Sequence, residues 1–169
     1  MNGSVAIVYN SNTGFTKKYA YMLGSRLKLK AYALTESKAL PAGTPVIYMG
    51  WLRATGITGF SKAKRRFNVL AAVGVGLGDA ASQTEAVRKT TKLPQNIPLF
   101  VLRGGINTAK LKGVNKLLIG MLLKGLSAKQ DILEGEKCML EALKNGGDFV
   151  SEEQLGPVIN WYNQYAKQN

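Results

Sequence analysis

Apolar residues fall along this chain in two distinct patterns, short unbroken runs and stretches with a recurrence of three or four. Ser4-Val-Ala-Ile-Val-Tyr9 is a β-branched run bounded by turn residues, and it reads as a buried strand. Val46–Trp51, which follows the turn Pro41-Ala-Gly-Thr-Pro45, has the same character, as do Val69–Val75 and Pro98–Arg103. Ala31–Leu34 is a shorter strand candidate. Between these runs the period changes. From Thr16 to Leu27 the positions Tyr19, Met22, Leu23 and Leu27 recur at helical spacing. Phe60–Phe67 reads as a short basic helix. Ser82, with Glu85 three positions on, predicts a capped helix over 83–91. Helices are further predicted over 113–126, 134–144 and from Ser151 to about Lys167, the last opened by Ser151 with Gln154.

Strands and helices therefore alternate, and the strands are continuous apolar runs. That is the mark of a parallel sheet covered on both faces. The expectation is one α/β domain over residues 1–169, a three-layer α/β/α sandwich. Its sheet would have five parallel strands in the order 2-1-3-4-5, with a ligand outside the carboxyl ends of strands 1 and 3. A helical insert of about 104–150 separates strand 5 from the last helix.

Composition narrows the chemistry. The chain has 169 residues, 46% of them hydrophobic, enough for a packed core. Its single cysteine, Cys138, permits no intramolecular disulfide and fits a reducing, cytoplasmic setting. It has no histidine, so Ser-His and Cys-His nucleophile pairs, His-ligated metals and a His base are excluded. No residue stands out as a catalytic acid or base. Met1-Asn-Gly-Ser lacks the basic start of a signal peptide, and no apolar run is long enough to span a bilayer.

The net charge is +13 and unevenly spread. Residues 1–130 hold 20 lysines and arginines against Glu36, Asp79 and Glu85, a balance of +17. Residues 131–169 hold three lysines and seven acids, a balance of −4. Such a body suits an anionic partner, or simply keeps the protein soluble. The basic residues have little aromatic interleaving and no helix-turn-helix pattern, which disfavours nucleic acid.

The loop after the first strand carries the sharpest chemistry. Ser11, Thr13 and Thr16 supply hydroxyls, Asn12 an amide and Gly14 close backbone approach. A helix start adds free N–H groups and a dipole that favours an anion, so a phosphate monoester fits here. The same residue types also serve as ordinary N-caps. Neither a Walker loop nor a Gly-x-Gly-x-x-Gly fingerprint is present.

Ser11-Asn-Thr-Gly-Phe-Thr16 resembles the Thr/Ser-x-Thr-Gly-x-Thr phosphate loop of flavodoxins. The resemblance implies flavin mononucleotide (FMN) as cofactor, with Ser11, Asn12, Thr13, Gly14 and Thr16 around its phosphate and Phe15 in the same cofactor-binding loop. It also implies that Trp51, Leu52, Arg53, Ala54, Thr55 and Gly56 after strand 3, and Gly76, Leu77 and Gly78 after strand 4, flank the ring. Trp51 resembles the ring-flanking aromatic, and is equally suited to a core or rim place. The later loop has no tyrosine, leaving the opposite ring face to Leu77 or to a partner. Asp79, the one carboxylate nearby, reads as a turn or cap residue.

The segment from Leu102 through Gly113-Val-Asn-Lys-Leu-Leu-Ile-Gly-Met-Leu-Leu-Lys124 is similar to the one after the last strand in menaquinone-dependent protoporphyrinogen oxidases of the flavodoxin fold. That likeness implies an FMN-dependent oxidoreductase or electron carrier, with a redox partner protein, a quinone or a porphyrin as the other reactant. On a helical wheel Val114, Leu117, Leu118, Met121, Leu122 and Leu126 form a stripe. Ile119 and Leu123 widen it to roughly two-thirds of the circumference. Lys110, Lys112, Lys116 and Lys124 accompany it. Such a helix is either buried, with its lysines reaching solvent, or shows an apolar edge. An edge would suit peripheral contact through 110–126 with the inner face of a membrane. Arg53, Arg103 and the basic body would favour the negative charge that flavin gains on reduction and raise its potential. An alternative is a flavin-free binding module of the same fold that applies its basic surface to an anionic partner.

Overall fold

The computed structural model describes residues 4–110, 113–132 and 134–168, without the side chains of 114, 115, 134, 135 and 138. Met1, Lys112 and the side chains of Val114 and Cys138, used in the sequence reading, lie outside the described residues.

The chain is α/β, with a mostly parallel central sheet and six α-helices among the described residues. In chain order the first elements are β1 (Ala6–Asn10), α1 (Phe15–Leu27), β2 (Ala31–Ala33) and β3 (Pro45–Arg53). Next come β4 (Gly56–Ile57), α2 (Phe60–Arg66), β5 (Asn68–Gly76), α3 (Ala80–Thr91) and β6 (Leu99–Arg103). Then follow β7 (Gly105–Ile106), α4 (Gly113–Ser127), α5 (Glu134–Asn145), β8 (Gly147–Asp148) and α6 (Gly156–Gln168). The parallel strands lie side by side as β2-β1-β3-β5-β6. Chain direction across the sheet reverses between β1 and β3, which leaves a crevice at their carboxyl ends.

The period-two geometry of the strands builds two cores. Ala6 and Val8 of β1 face one way, with Val46, Tyr48, Phe60 and Val87, under α2 and α3. Ile7 and Tyr9 face the other way, with Ile47, Met49, Tyr19, Leu23 and Val158, under α1 and α6. Because both faces are dry, the strands tolerate no polar alternation.

Four local features differ from the sequence reading. Gly50–Gly56 is not an open loop. β3 continues through Arg53, and β4 folds back on it antiparallel, making a sixth strand of the sheet. The turn residue Ala54 sits at φ 53°, so it lacks the glycine or asparagine that marks such hairpins. The cap of α3 is Asp79, whose carboxylate accepts the Ser82 N–H at 3.0 Å, so the helix starts three residues before 83. α6 starts at Gly156, after a 3-10 turn over Glu153–Leu155, and not at Ser151. Pro157 explains the position, since a residue without N–H fits only in a first turn. Gln154, freed from capping, brackets Arg103: its Oε1 accepts the Arg103 N–H at 2.7 Å and its Nε2 donates to the Arg103 carbonyl at 3.2 Å.

The insert leaves and re-enters the domain through a stem, β7 paired antiparallel with β8. At its base the Phe149 N–H donates to the Gly104 carbonyl at 2.9 Å. Beyond the stem, α4 and α5 enclose a third small core of Ile106, Leu126, Ala142 and Leu143. Leu77, from the turn after β5, packs into that core.

Candidate functional site: a cavity at the carboxyl edge of the sheet

The turn after β1 is shaped by Gly14. It stands at φ 106°, a left-handed conformation that favours glycine, and it is the N-cap residue of α1. Among the described residues no side chain caps α1. Ser11 instead accepts the N–H of Gly14 itself, at 3.2 Å, which rounds the loop. The N–H groups of the first helical turn are thus left for another acceptor. The first turn contains no acid. Thr16 is only 1% exposed, held at the floor of the loop.

The β3–β4 hairpin forms a second wall. Thr58 closes it, donating both its N–H (3.1 Å) and its hydroxyl (2.9 Å) to the Trp51 carbonyl. α3 anchors it. Thr91 accepts the Ile57 N–H at 3.0 Å, and the Thr55 and Thr90 hydroxyls share a hydrogen bond of 2.7 Å. Leu52 lies across two glycines of β5. A Cβ at Gly74 or Gly76 would stand 2.8 or 2.9 Å from its methyl carbons.

The third wall is the turn Gly76-Leu77-Gly78. Gln83 lies over Gly78, where a Cβ would meet its amide at 2.1 Å. Arg103 holds the Leu77 carbonyl through Nε at 3.3 Å, while its guanidinium stacks 3.9 Å above the Phe149 ring. Arg103 therefore fixes the turn from behind and does not line the cavity, contrary to its expected place beside Arg53.

These walls enclose a cavity of about 320 Å³, within the range of small-molecule sites. Of the site residues expected from sequence, it gathers Ser11, Asn12, Thr13, Phe15 and Thr16 from the loop after β1, and Trp51, Leu52, Arg53, Ala54 and Thr55 from the hairpin. Gly76, Leu77 and Gly78 complete that set. Gly14 and Gly56 are not on its surface. Among the described residues that line it there is no carboxylate, and Arg53 is the one cation.

The sequence reading missed the fourth wall. Gly105 and Ile106 of the stem, Leu118, Ile119 and Leu122 of α4 and Met139 of α5 also face the cavity. The α4 members were visible as a stripe, but their target was not. Gly105 is the hinge of this arrangement in a steric sense. A Cβ there would lie 2.6 Å from the Phe15 ring and 2.3 Å from the Gly147 carbonyl oxygen. The ring of Phe15 is thus seated on the stem, so the first loop and the insert share a surface. Lys18 of α1 makes a second tie, pairing with Asp148 of β8 at 2.7 Å. That hydrogen bond holds the Asp148 carboxyl below its usual range.

Tyr9 is the last residue but one of β1. Burial, a hydrogen bond with Tyr21 and the Tyr21 and Glu36 charges push its hydroxyl up to about 12, so it stays neutral. Comparison with protein-family models, curated proteins and solved structures returned no match. Among the described residues no helix is long and apolar enough to cross a membrane.

Proposed function

We propose that this chain is a flavodoxin-like FMN-binding redox protein, with FMN in the cavity at the carboxyl edge of the sheet. The reading rests on one observation above the others. A single cavity begins at uncapped helix N–H groups and hydroxyls and ends between Trp51, Leu52, Leu77 and the apolar side of α4. A phosphate end and a flat apolar end are what FMN demands. Ser11, Thr13, Thr16 and the α1 N–H groups would hold the phosphate. Trp51 would cover one ring face, and Leu77 with Leu118 and Leu122 the other, where flavodoxins commonly carry a tyrosine. Bound flavin would supply the electron-transfer chemistry. The protein's own part is to exclude water and to supply positive rather than negative charge at the ring through Arg53. A likeness to the protoporphyrinogen-oxidase group in the insert supports an oxidoreductase or carrier working with a quinone, a porphyrin or a redox protein.

The test is direct. Purified protein should be yellow, or should quench FMN fluorescence on titration, with riboflavin binding more weakly for lack of a phosphate. Protein that is colourless and indifferent to both would overturn the flavin reading. It would leave a binding module that uses the +17 body on an anionic partner.

A further inference from the structure

We propose that the exposed ridge of α4 docks this protein on an anionic lipid bilayer. The proposal goes beyond the flavin reading and does not depend on it. Leu117 and Met121, four residues apart on one helix face, are 65% and 62% exposed. Leu118 and Leu122, each 39% exposed, extend the apolar surface toward the cavity mouth. Single exposed leucines are ordinary, but a contiguous row of four on one helix is an interaction surface. The helix is not loose. Leu126 is buried, and Ile119 and Leu123 pack beside it on the insert core, so the ridge stands on a folded support.

Charge selects the occupant. α4 contains Lys116 and Lys124, both exposed, and no acid. At about 100° per residue both lysines fall on one flank of the Leu117–Met121 line. Lys110, also exposed, precedes the helix. Gly120 lies between the two lysines and Gly125 on the apolar side, and both have open space around their Cβ positions, which keeps the ridge low enough for headgroups to approach. A second copy of this chain fits poorly, since a twofold contact would set each lysine flank and each +17 body against its own likeness. Protein interfaces in general favour aromatics and arginine and deplete lysine. α4 shows the reverse, aliphatic residues edged by lysines, which is the composition of a helix lying in a lipid interface.

The experiment is co-sedimentation with vesicles of phosphatidylcholine, alone and with about one part in three of phosphatidylglycerol, at near-physiological salt where the Debye length is about 8 Å. The wild-type chain should pellet with the anionic vesicles and stay in solution with the neutral ones. K116Q/K124Q should weaken binding roughly fivefold per lysine. L117Q/M121Q should weaken it at least about tenfold, because the ridge no longer enters the acyl boundary. Both variants change exposed side chains, and unchanged melting temperatures would confirm that they fold. K62Q/K64Q on α2 removes the same charge elsewhere and should change binding less than twofold. No binding to anionic vesicles would overturn the proposal. Equal losses from the α2 and α4 variants, or a dimer that L117Q/M121Q dissociates in sedimentation velocity, would do the same. FMN titration of the same variants keeps the two readings apart, since flavin binding should survive in each.

Discussion

Tyr19 donates its hydroxyl to the carbonyl of Arg103 at 2.6 Å, and in turn accepts the N–H of Ser151 at 3.3 Å. One buried phenol thus joins the helix that leaves the first loop, the end of β6 and the chain returning from the insert. Tyr19→Phe keeps the ring in the core and leaves the Ser151 N–H unanswered. The expected cost is about 1–2 kcal/mol, read as a lower urea midpoint with an unchanged slope. An unshifted midpoint would mean that the bond contributes nothing net.

Thr16→Val is nearly isosteric and removes only a hydroxyl that caps nothing. Stability should move little. FMN affinity should fall roughly 10- to 100-fold, the loss expected for a hydrogen bond to a charged group. Riboflavin, without the phosphate, should bind the variant as it binds the wild type. A parallel loss for both ligands would place the Thr16 effect at the ring.

Gly105→Ala sets a methyl against the Phe15 ring on one side and the Gly147 carbonyl on the other. A ring can swing aside, but a paired strand cannot follow cheaply, so about 1–3 kcal/mol of stability should be lost. The first loop should loosen with the stem, and FMN affinity should drop in the same variant. Calorimetry beside a fluorescence titration reads both effects.

The Lys18–Asp148 pair gives a pH dependence of known sign. Its hydrogen bond lowers the Asp148 pKa from 3.8, so the unfolded chain binds more protons in the interval below that value. The contribution is complete above about pH 4 and disappears as the pH falls through the lowered native value. Both partners are about half exposed, so the effect should stay below about 1 kcal/mol. Asp148→Asn should remove it, flattening the acid limb of a plot of unfolding free energy against pH.

Among the described residues lining the cavity Arg53 is the one cation, and none is acidic. Arg53→Ala should lower the midpoint potential of bound flavin by on the order of tens of millivolts, the scale of one exposed charge. A potential unchanged or raised in a spectroelectrochemical titration would remove Arg53 from that role.

The parallel sheet was legible because Val46–Trp51 and Val69–Val75 are apolar at every position, a pattern only a doubly covered strand needs. The loop from Ser11 to Thr16 was legible because its chemistry is contiguous in sequence. What escaped was set by tertiary partners. Ala54 turns a hairpin without turn residues, because Thr58, Thr90 and Thr91 hold it from outside. Gln154 sits in a helix-start pattern, yet spends its amide on Arg103 and Phe149. Asp79 and Ser82 are both good caps, and their spacing alone does not choose between them. Gly105–Ile106 and Gly147–Asp148 are too short for any periodicity, so the stem was invisible until its partners met.

That stem has a practical side. Gly104 and Phe149 already touch through a backbone hydrogen bond, so everything between them is an excursion that starts and finishes at a single point on the sheet edge. The helical pair behaves as a cassette. Its removal would take the β7–β8 pair with it and leave the pairing of the five parallel strands intact. The scar would be Leu77 without its neighbours, Phe15 without its seat and Lys18 without Asp148.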